Sequence, residues 1–242
     1  MSKRASANQK VRSFIRALKK TPQTAGVFNP WYASDPDNDL DQKGPLIRRS
    51  QLRYYLEQRI PSARFLLIAE AIGYQGGHFS GMAMTSERIL LGHQIDRQIH
   101  PDTVFRGHRP QRTSHSAMQP KGFVEPTATI VWGSLLAAGV DPYAFVLWNA
   151  FPWHPYQSGH PKGMLTNRTP TPKEMDDARP FLEQFVGLFS RCSIIAIGQK
   201  CAASMAAMGM NCHVVRHPAN GGATAFREQT LAIFRRKKSG GG

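Results

Sequence analysis

The chain has 242 residues, with 31 Lys plus Arg against 16 Asp plus Glu, a formal charge of +15 and 41% hydrophobic residues. That composition excludes collagen-like, low-complexity and wholly disordered classes, and the length suits one domain with a proper core. No apolar run nears the roughly 20 residues of a membrane span, and no apolar stretch follows the basic start Met1-Ser2-Lys3-Arg4, so neither a spanning nor a secreted protein is expected.

Residues 1–20 carry seven Lys/Arg and no acid, and Val11, Phe14, Ile15 and Leu18 recur at helical spacing. This predicts an amphipathic basic helix from about Asn8, either docked on the domain or reaching along a DNA backbone. Residues 21–45 are rich in Pro, Asn, Asp and Gly and read as an irregular connection, so 1–45 is set apart from a single α/β catalytic domain at 46–238. Residues 239–242, Ser-Gly-Gly-Gly, read as a flexible tail.

Within the domain, apolar runs at 65–69, 145–148, 193–197 and 213–215 predict buried strands. Helical patterns fall at 51–59, 85–94, 127–138, 172–189, 201–208 and 224–235. Alternating strands and helices imply a mainly parallel four-stranded sheet covered on both faces, a three-layer α/β/α sandwich. Residues 98–123 break the pattern with His100, Arg106, His108, Arg109, Arg112, His115 and Lys121. A loop of that length is usually functional or mobile; it is either a solvated surface or a track for phosphates.

The positive charge favours a polyanion such as DNA, RNA or an anionic membrane surface, the plain alternative being solubility. Cys192, Cys201 and Cys212 form no C-x2-C pair and too few thiolates for zinc or an iron–sulfur cluster. An odd count without a leader suggests the reducing cytoplasm. A zinc site using His154 and His160 fits no standard spacing, so no metal and no cofactor are expected.

Three loops leave the C-terminal ends of the expected strands, where sites form in such folds. The first, after Ala69, holds Glu70, then Ala71, Ile72, Gly73, Tyr74 and glycines 76, 77 and 81. A carboxylate at the end of a buried strand is costly unless paired or wet, and it suits a general base acting on water; more often it is a structural hydrogen-bonder. The second runs Asn149-Ala150-Phe151-Pro152-Trp153. The Asn149 amide offers a donor beside an acceptor, matching the Watson–Crick edge of a base. The third, Arg216-His217-Pro218-Ala219-Asn220-Gly221-Gly222, precedes a helix. His217 suits donation to an oxyanion, and the helix start suits an anion.

Taken together, this order of Glu, Asn and His-Pro loops resembles the uracil-DNA glycosylase superfamily. The resemblance runs over residues 65–226, about two thirds of the chain. Ala69-Glu70-Ala71-Ile72-Gly73 is similar to a family-4-like first motif, Gly-Glu-Ala-Pro-Gly, and His217-Pro218 looks like the second motif. The 73–81 stretch looks like an atypical bacterial branch. Ala69 and Ile72 replace the motif's Gly and Pro. Met84 stands where the family stacks a Phe, with Phe79 as an alternative platform. Gly73 stands where the best-known branch has a Tyr that blocks the thymine methyl, with Tyr74 one residue on. The family-4 cluster cysteines are absent, so no cluster is implied.

The resemblance implies a monofunctional glycosylase that releases uracil from single- or double-stranded DNA, acting as a monomer. Glu70 and His217 would be catalytic. Asn149, Ala71, Ile72, Gly73, Tyr74, Phe79 and Met84 would hold the base. Arg216, Asn220, Gly221 and Gly222, with Arg106, Arg109 and Arg112 from the long loop, would hold DNA. No lysine is placed for Schiff-base chemistry, so lyase activity is not expected. Three other readings stay open: a non-catalytic nucleic-acid binder on the same fold, a glycosylase for hypoxanthine or xanthine, and an unrelated α/β hydrolase acting on nucleotides or small anions.

Overall fold

A computed structural model of the chain describes residues 3–20 and 24–239. The flexible tail expected at 239–242 lies, from residue 240 onward, outside the described residues. The strands are β1 (Val27–Phe28), β2 (Phe65–Ala71), β3 (Phe145–Phe151), β4 (His154–Pro155), β5 (Ser193–Ile197) and β6 (His213–Val215). The helices are α1 (Lys3–Lys20), α2 (Gly44–Arg59), α3 (Gly77–Ser80), α4 (Glu87–Leu90), α5 (Pro101–Val104), α6 (Pro126–Ala137), α7 (Pro172–Leu188), α8 (Gln199–Ala207) and α9 (Ala223–Ser239).

The four expected strands form the central sheet in the order β3-β2-β5-β6, every pairing parallel. Helices pack on the sheet, α2 and α7 against β3, α8 against β5 and β2, and α9 against β6, giving the α/β/α sandwich. Residues 65–69 of β2 and all seven of β3 are buried, as strands covered on both faces must be. Asn149 pairs with Ala69, and Val215 with Ile197, so the C-terminal ends of the four strands lie side by side.

Capping chemistry sets the start of α7. Thr171 and Glu174 form a capping box and Pro172 opens the first turn. In α1, Val11, Phe14, Ile15 and Leu18 are all buried, each worth about 1.5–3 kcal/mol when removed from water. That face seats the helix against α2 and α7 and brings Phe14 within 5.4 Å of the Trp148 ring centroid. Lys10, Arg12, Arg16, Lys19 and Lys20 of α1 are exposed.

Two expectations change. The helix expected at 85–94 is a single turn, α4. Glu87 is turned inward to accept the backbone N–H groups of Thr113 and Ser114 and the hydroxyl of Ser114, and Gly92 leaves the helix at φ +79°. Residues 98–123 are therefore pinned rather than freely solvated: Val104, Phe105, Thr113, Ser114 and Phe123 are buried. The short pair β1–β4 had no period-2 signal to announce it, being two residues per strand.

A buried polar chain fixes the loops beside the sheet's C-terminal edge. His154 Nε2 lies 2.7 Å from the Thr166 carbonyl, and its Nδ1 lies 2.9 Å from His78 Nδ1. His78 Nε2 lies 3.0 Å from Asp35 Oδ2. Burial pushes His154 down to about 3, so it is neutral with its proton on Nε2. Its Nδ1 must then accept from His78, and the His78–Asp35 contact holds one further proton. Asp35, α3, β4 and Thr166 are thus locked to one another.

Candidate active site

A cleft of about 500 Å³ opens over the C-terminal edge of the sheet. It brings together Glu70 from β2, Asn149 from β3 and His217 from the loop after β6. Ala71, Ile72, Gly73 and Met84 line it on one side and Arg216, Ala219 and Asn220 on another.

Glu70 sits one residue beyond the buried part of β2, with its side chain 31% exposed, so it is within reach of water. Lys200, at the start of α8, places Nζ 3.4 Å from Glu70 Oε1. Asn149 is buried, and its Oδ1 has no hydrogen-bond partner among the described residues. A buried amide oxygen left unpaired is costly, which makes this atom a waiting acceptor.

His217 Nδ1 accepts the Ala219 N–H at 3.1 Å. The neutral ring must therefore carry its proton on Nε2. Burial, reinforced by Arg216, holds its pKa below the ordinary imidazole value, so at pH 7 the ring is a neutral Nε2–H donor. Gly222 makes this loop possible: a side-chain carbon there would fall 2.0 Å from the His217 carbonyl oxygen. Asn220 adopts φ +52° and Gly221 φ +74°, turning the chain tightly into α9.

Met84 also has a positive φ, +45°. Trp132 Nε1 donates to its carbonyl at 3.1 Å, holding the side chain at the cleft. Phe79, the alternative platform, does not line the cleft; it is buried and stacked on Phe123 at 4.3 Å. Tyr74 is not a lining residue either, and its N–H donates to Asn167 Oδ1 at 3.0 Å.

The long-loop arginines divide. Arg106 stacks on Tyr143, two residues before β3, and so lies at the opposite end of the sheet from the cleft. Arg112 is committed to the carbonyls of Gln119 and Pro120. Arg109 is exposed. None of the three lines the cleft. Their placement as DNA contacts came from charge alone, and charge does not say which end of a sheet a loop reaches.

Several lining residues carried no motif: Glu125, Thr127, Asn167, Arg168 and Lys200. Asn167 stands beside Gly73, where a first side-chain carbon would lie 3.6 Å from its amide. Arg168 is forked onto Glu174, which together with Tyr156 lifts its pKa, while Glu174 is lowered in turn, chiefly by Arg168. No lysine was expected in place for Schiff-base chemistry; Lys200 does line the cleft. Its ammonium is nevertheless engaged by Glu70 and by Thr169 Oγ1 at 2.7 Å. Glu125, directly before Pro126 at the start of α6, could have been found as a carboxylate beside an apolar helix start; the other four had no signal.

The chain matches the family model described as Uracil DNA glycosylase superfamily over residues 96–235. Asn149 and His217 fall inside that span and Glu70 precedes it. Among solved structures the chain is similar to "The crystal structure of WT Pedobacter heparinus SMUG2", at 13% identity and a TM-score of 0.60, over 96% of this chain and 98% of that one. At that identity the likeness is one of fold. Comparison with curated proteins returned no match.

Proposed function

Because the chain belongs to the uracil DNA glycosylase superfamily, we propose that it hydrolyses the N-glycosidic bond of uracil in DNA, releasing free uracil and leaving an abasic site. Membership makes glycosylase its class and DNA its substrate. The finer reading rests on one observation: Glu70, Asn149 and His217, far apart in sequence, line a single cleft.

A base must leave the helical stack to enter such a cleft, at a cost of a few kcal/mol in duplex and less in single strand. Asn149 Oδ1 accepts uracil N3–H and its amide donates to O4. Cytosine presents the reverse pattern there, a mismatch that sites of this kind reject by about 10⁴–10⁵. As the C1′–N1 bond breaks, negative charge grows on the base. His217 Nε2–H donates to it at O2, a contribution of roughly 3–4 kcal/mol to the transition state. Glu70 orients or deprotonates the attacking water and lends its charge to the cationic sugar. Backbone at 219–222, at the N-terminal end of α9, receives a phosphate. The reaction ends at the abasic site, since the Lys200 amine is held by Glu70 and Thr169. The enzyme acts as a cytoplasmic monomer.

The test is alkali-induced scission of labelled oligonucleotides carrying uracil, thymine, hypoxanthine or xanthine at one position, in single strands and in duplexes. Wild type is expected to cut at uracil. Asn149→Asp should lose about 10²-fold or more through the lost donor. Glu70→Gln should lose a similar factor in rate while keeping DNA affinity. Cutting at a purine lesion alone would keep the chemistry and move the specificity. Wild-type excision by both variants would remove these residues from the mechanism.

A further inference from the structure

Two side-chain oxygens of cleft-lining residues are closed off from solvent without a partner among the described residues: Asn149 Oδ1 and Glu125 Oε2. The reading above uses the first and leaves the second idle. Glu125 as a residue is partly exposed, but this oxygen is not. The carboxyl is packed against the 73–76 turn so closely that a side-chain carbon at Gly76 would fall 2.1 Å from Oε2.

The charged groups around it are otherwise occupied. Its own helix, α6, holds no charged residue. On the facing 73–76 turn the titratable side chain is Tyr74, and on α4 Arg88 donates to the Gly122 carbonyl and Glu87 binds the 113–114 backbone. Across the cleft, Lys200 pairs with Glu70 and Arg168 with Glu174, leaving Arg216 and His217 on the far loop. With no cation beside it among the described residues, burial pushes the Glu125 carboxyl up to about 7.

We propose that Glu125 is a second base-reading residue, used as a neutral acid: its O–H donates to the free lone pair of the base carbonyl whose neighbouring ring N–H is accepted by Asn149 Oδ1. The ligand this pair selects is a lactam edge, C(=O)–NH, the feature a base gains when an exocyclic amine is lost by deamination. The inference rests on the glycosylase reading. Ionised Glu125 would repel both that carbonyl and the negative charge growing on the leaving base, so excision must fade as the acid titrates.

The experiment compares wild type, Glu125→Gln and Glu125→Ala in single-turnover uracil excision from about pH 5.5 to about pH 9. In parallel, binding is measured to an oligonucleotide carrying 2′-fluoroarabino-deoxyuridine, whose glycosidic bond resists cleavage. Wild-type rate and analogue affinity should both fall above pH 7, the rate by about tenfold per unit. Glu125→Gln, a fixed donor, should be slower at pH 6 by about tenfold or less, with no fall from pH 7 to pH 9. Glu125→Ala should lose more than about tenfold at pH 6 and be equally flat. An alkaline fall shared by wild type and Glu125→Gln, or absent from wild type, overturns the proposal while leaving uracil excision intact. No excision by wild type, with analogue affinity still falling above pH 7 through Glu125, overturns the glycosylase reading and keeps Glu125 as the reader.

Discussion

Glu125 carries its cost into stability as well as into the site. Its carboxyl titrates near 4.5 ordinarily and at about 7 in the folded chain. Below about pH 4.5 both states are protonated and nothing is lost. Between there and pH 7 the unfolded chain releases its proton first, so stability falls as pH rises, by an amount on the order of 3 kcal/mol once complete. Glu125→Gln should therefore be more stable than wild type at pH 8, with the difference vanishing near pH 4; paired urea melts at the two pH values check this. His217 needs no such compromise. Its Nδ1 is engaged by the Ala219 N–H, and its lowered pKa leaves one neutral donor aimed outward. Burial acts on both groups in the same sense, holding each in its uncharged form, a carboxylic acid in one case and an imidazole in the other.

Among the elements, the turn from β2 into α3 decides the most. It is short of side-chain volume because other parts of the chain crowd it: a carbon placed on Gly76 would fall 2.1 Å from Glu125 Oε2, and one on Gly77 3.0 Å from Ile72 and from the Met82 carbonyl oxygen. Gly76→Ala should push the Glu125 carboxyl from its place, costing about 1–3 kcal/mol of stability together with excision activity. Adding Glu125→Ala should restore much of the stability but not the activity. Urea melts and excision rates across this double-mutant cycle check the coupling; additive stability changes would mean that the two positions do not meet. The α1 helix shows the opposite economy. One apolar stripe docks it on α2 and α7, which leaves its basic face outward and available to the field of the whole chain.

At the scale of the molecule, the formal charge of +15 is spread over a fold whose cleft lies at one end of the sheet. Long-range attraction needs no fixed contact, so even arginines far from the cleft, such as Arg106, raise the association rate. Each phosphate neutralised should contribute about −0.7 to −0.9 to the slope of log affinity against log salt. Affinity for an undamaged oligonucleotide, titrated over a range of salt, is expected to fall steeply; a flat response would exclude a phosphate-tracking surface. The opposite end of the sheet is held by Arg59, fully buried, which donates to the carbonyls of Tyr55, Thr103, Val104, Pro142 and Phe145. It ties α2 and the long loop to the start of β3, so part of the basic content is structural and never meets a ligand.

The four sheet strands and the long helices were legible because each is a local pattern: a short apolar run, a 3.6-residue stripe, or a capping box such as Thr171–Glu174. Glu70, Asn149 and His217 were legible because each stands at the end of such a run, and parallel strands must end together. Contacts between segments distant in sequence leave no such trace. That Phe79 turns into the core while Met84 faces the cleft follows from Phe123 and Trp132, some forty residues on. That Lys200 reaches Glu70, that Asn167 stands beside Gly73, and that a lone carboxyl at 125 waits without a partner were decided by packing. The unpaired oxygen of Glu125 is a property of its surroundings, and only the folded chain has those.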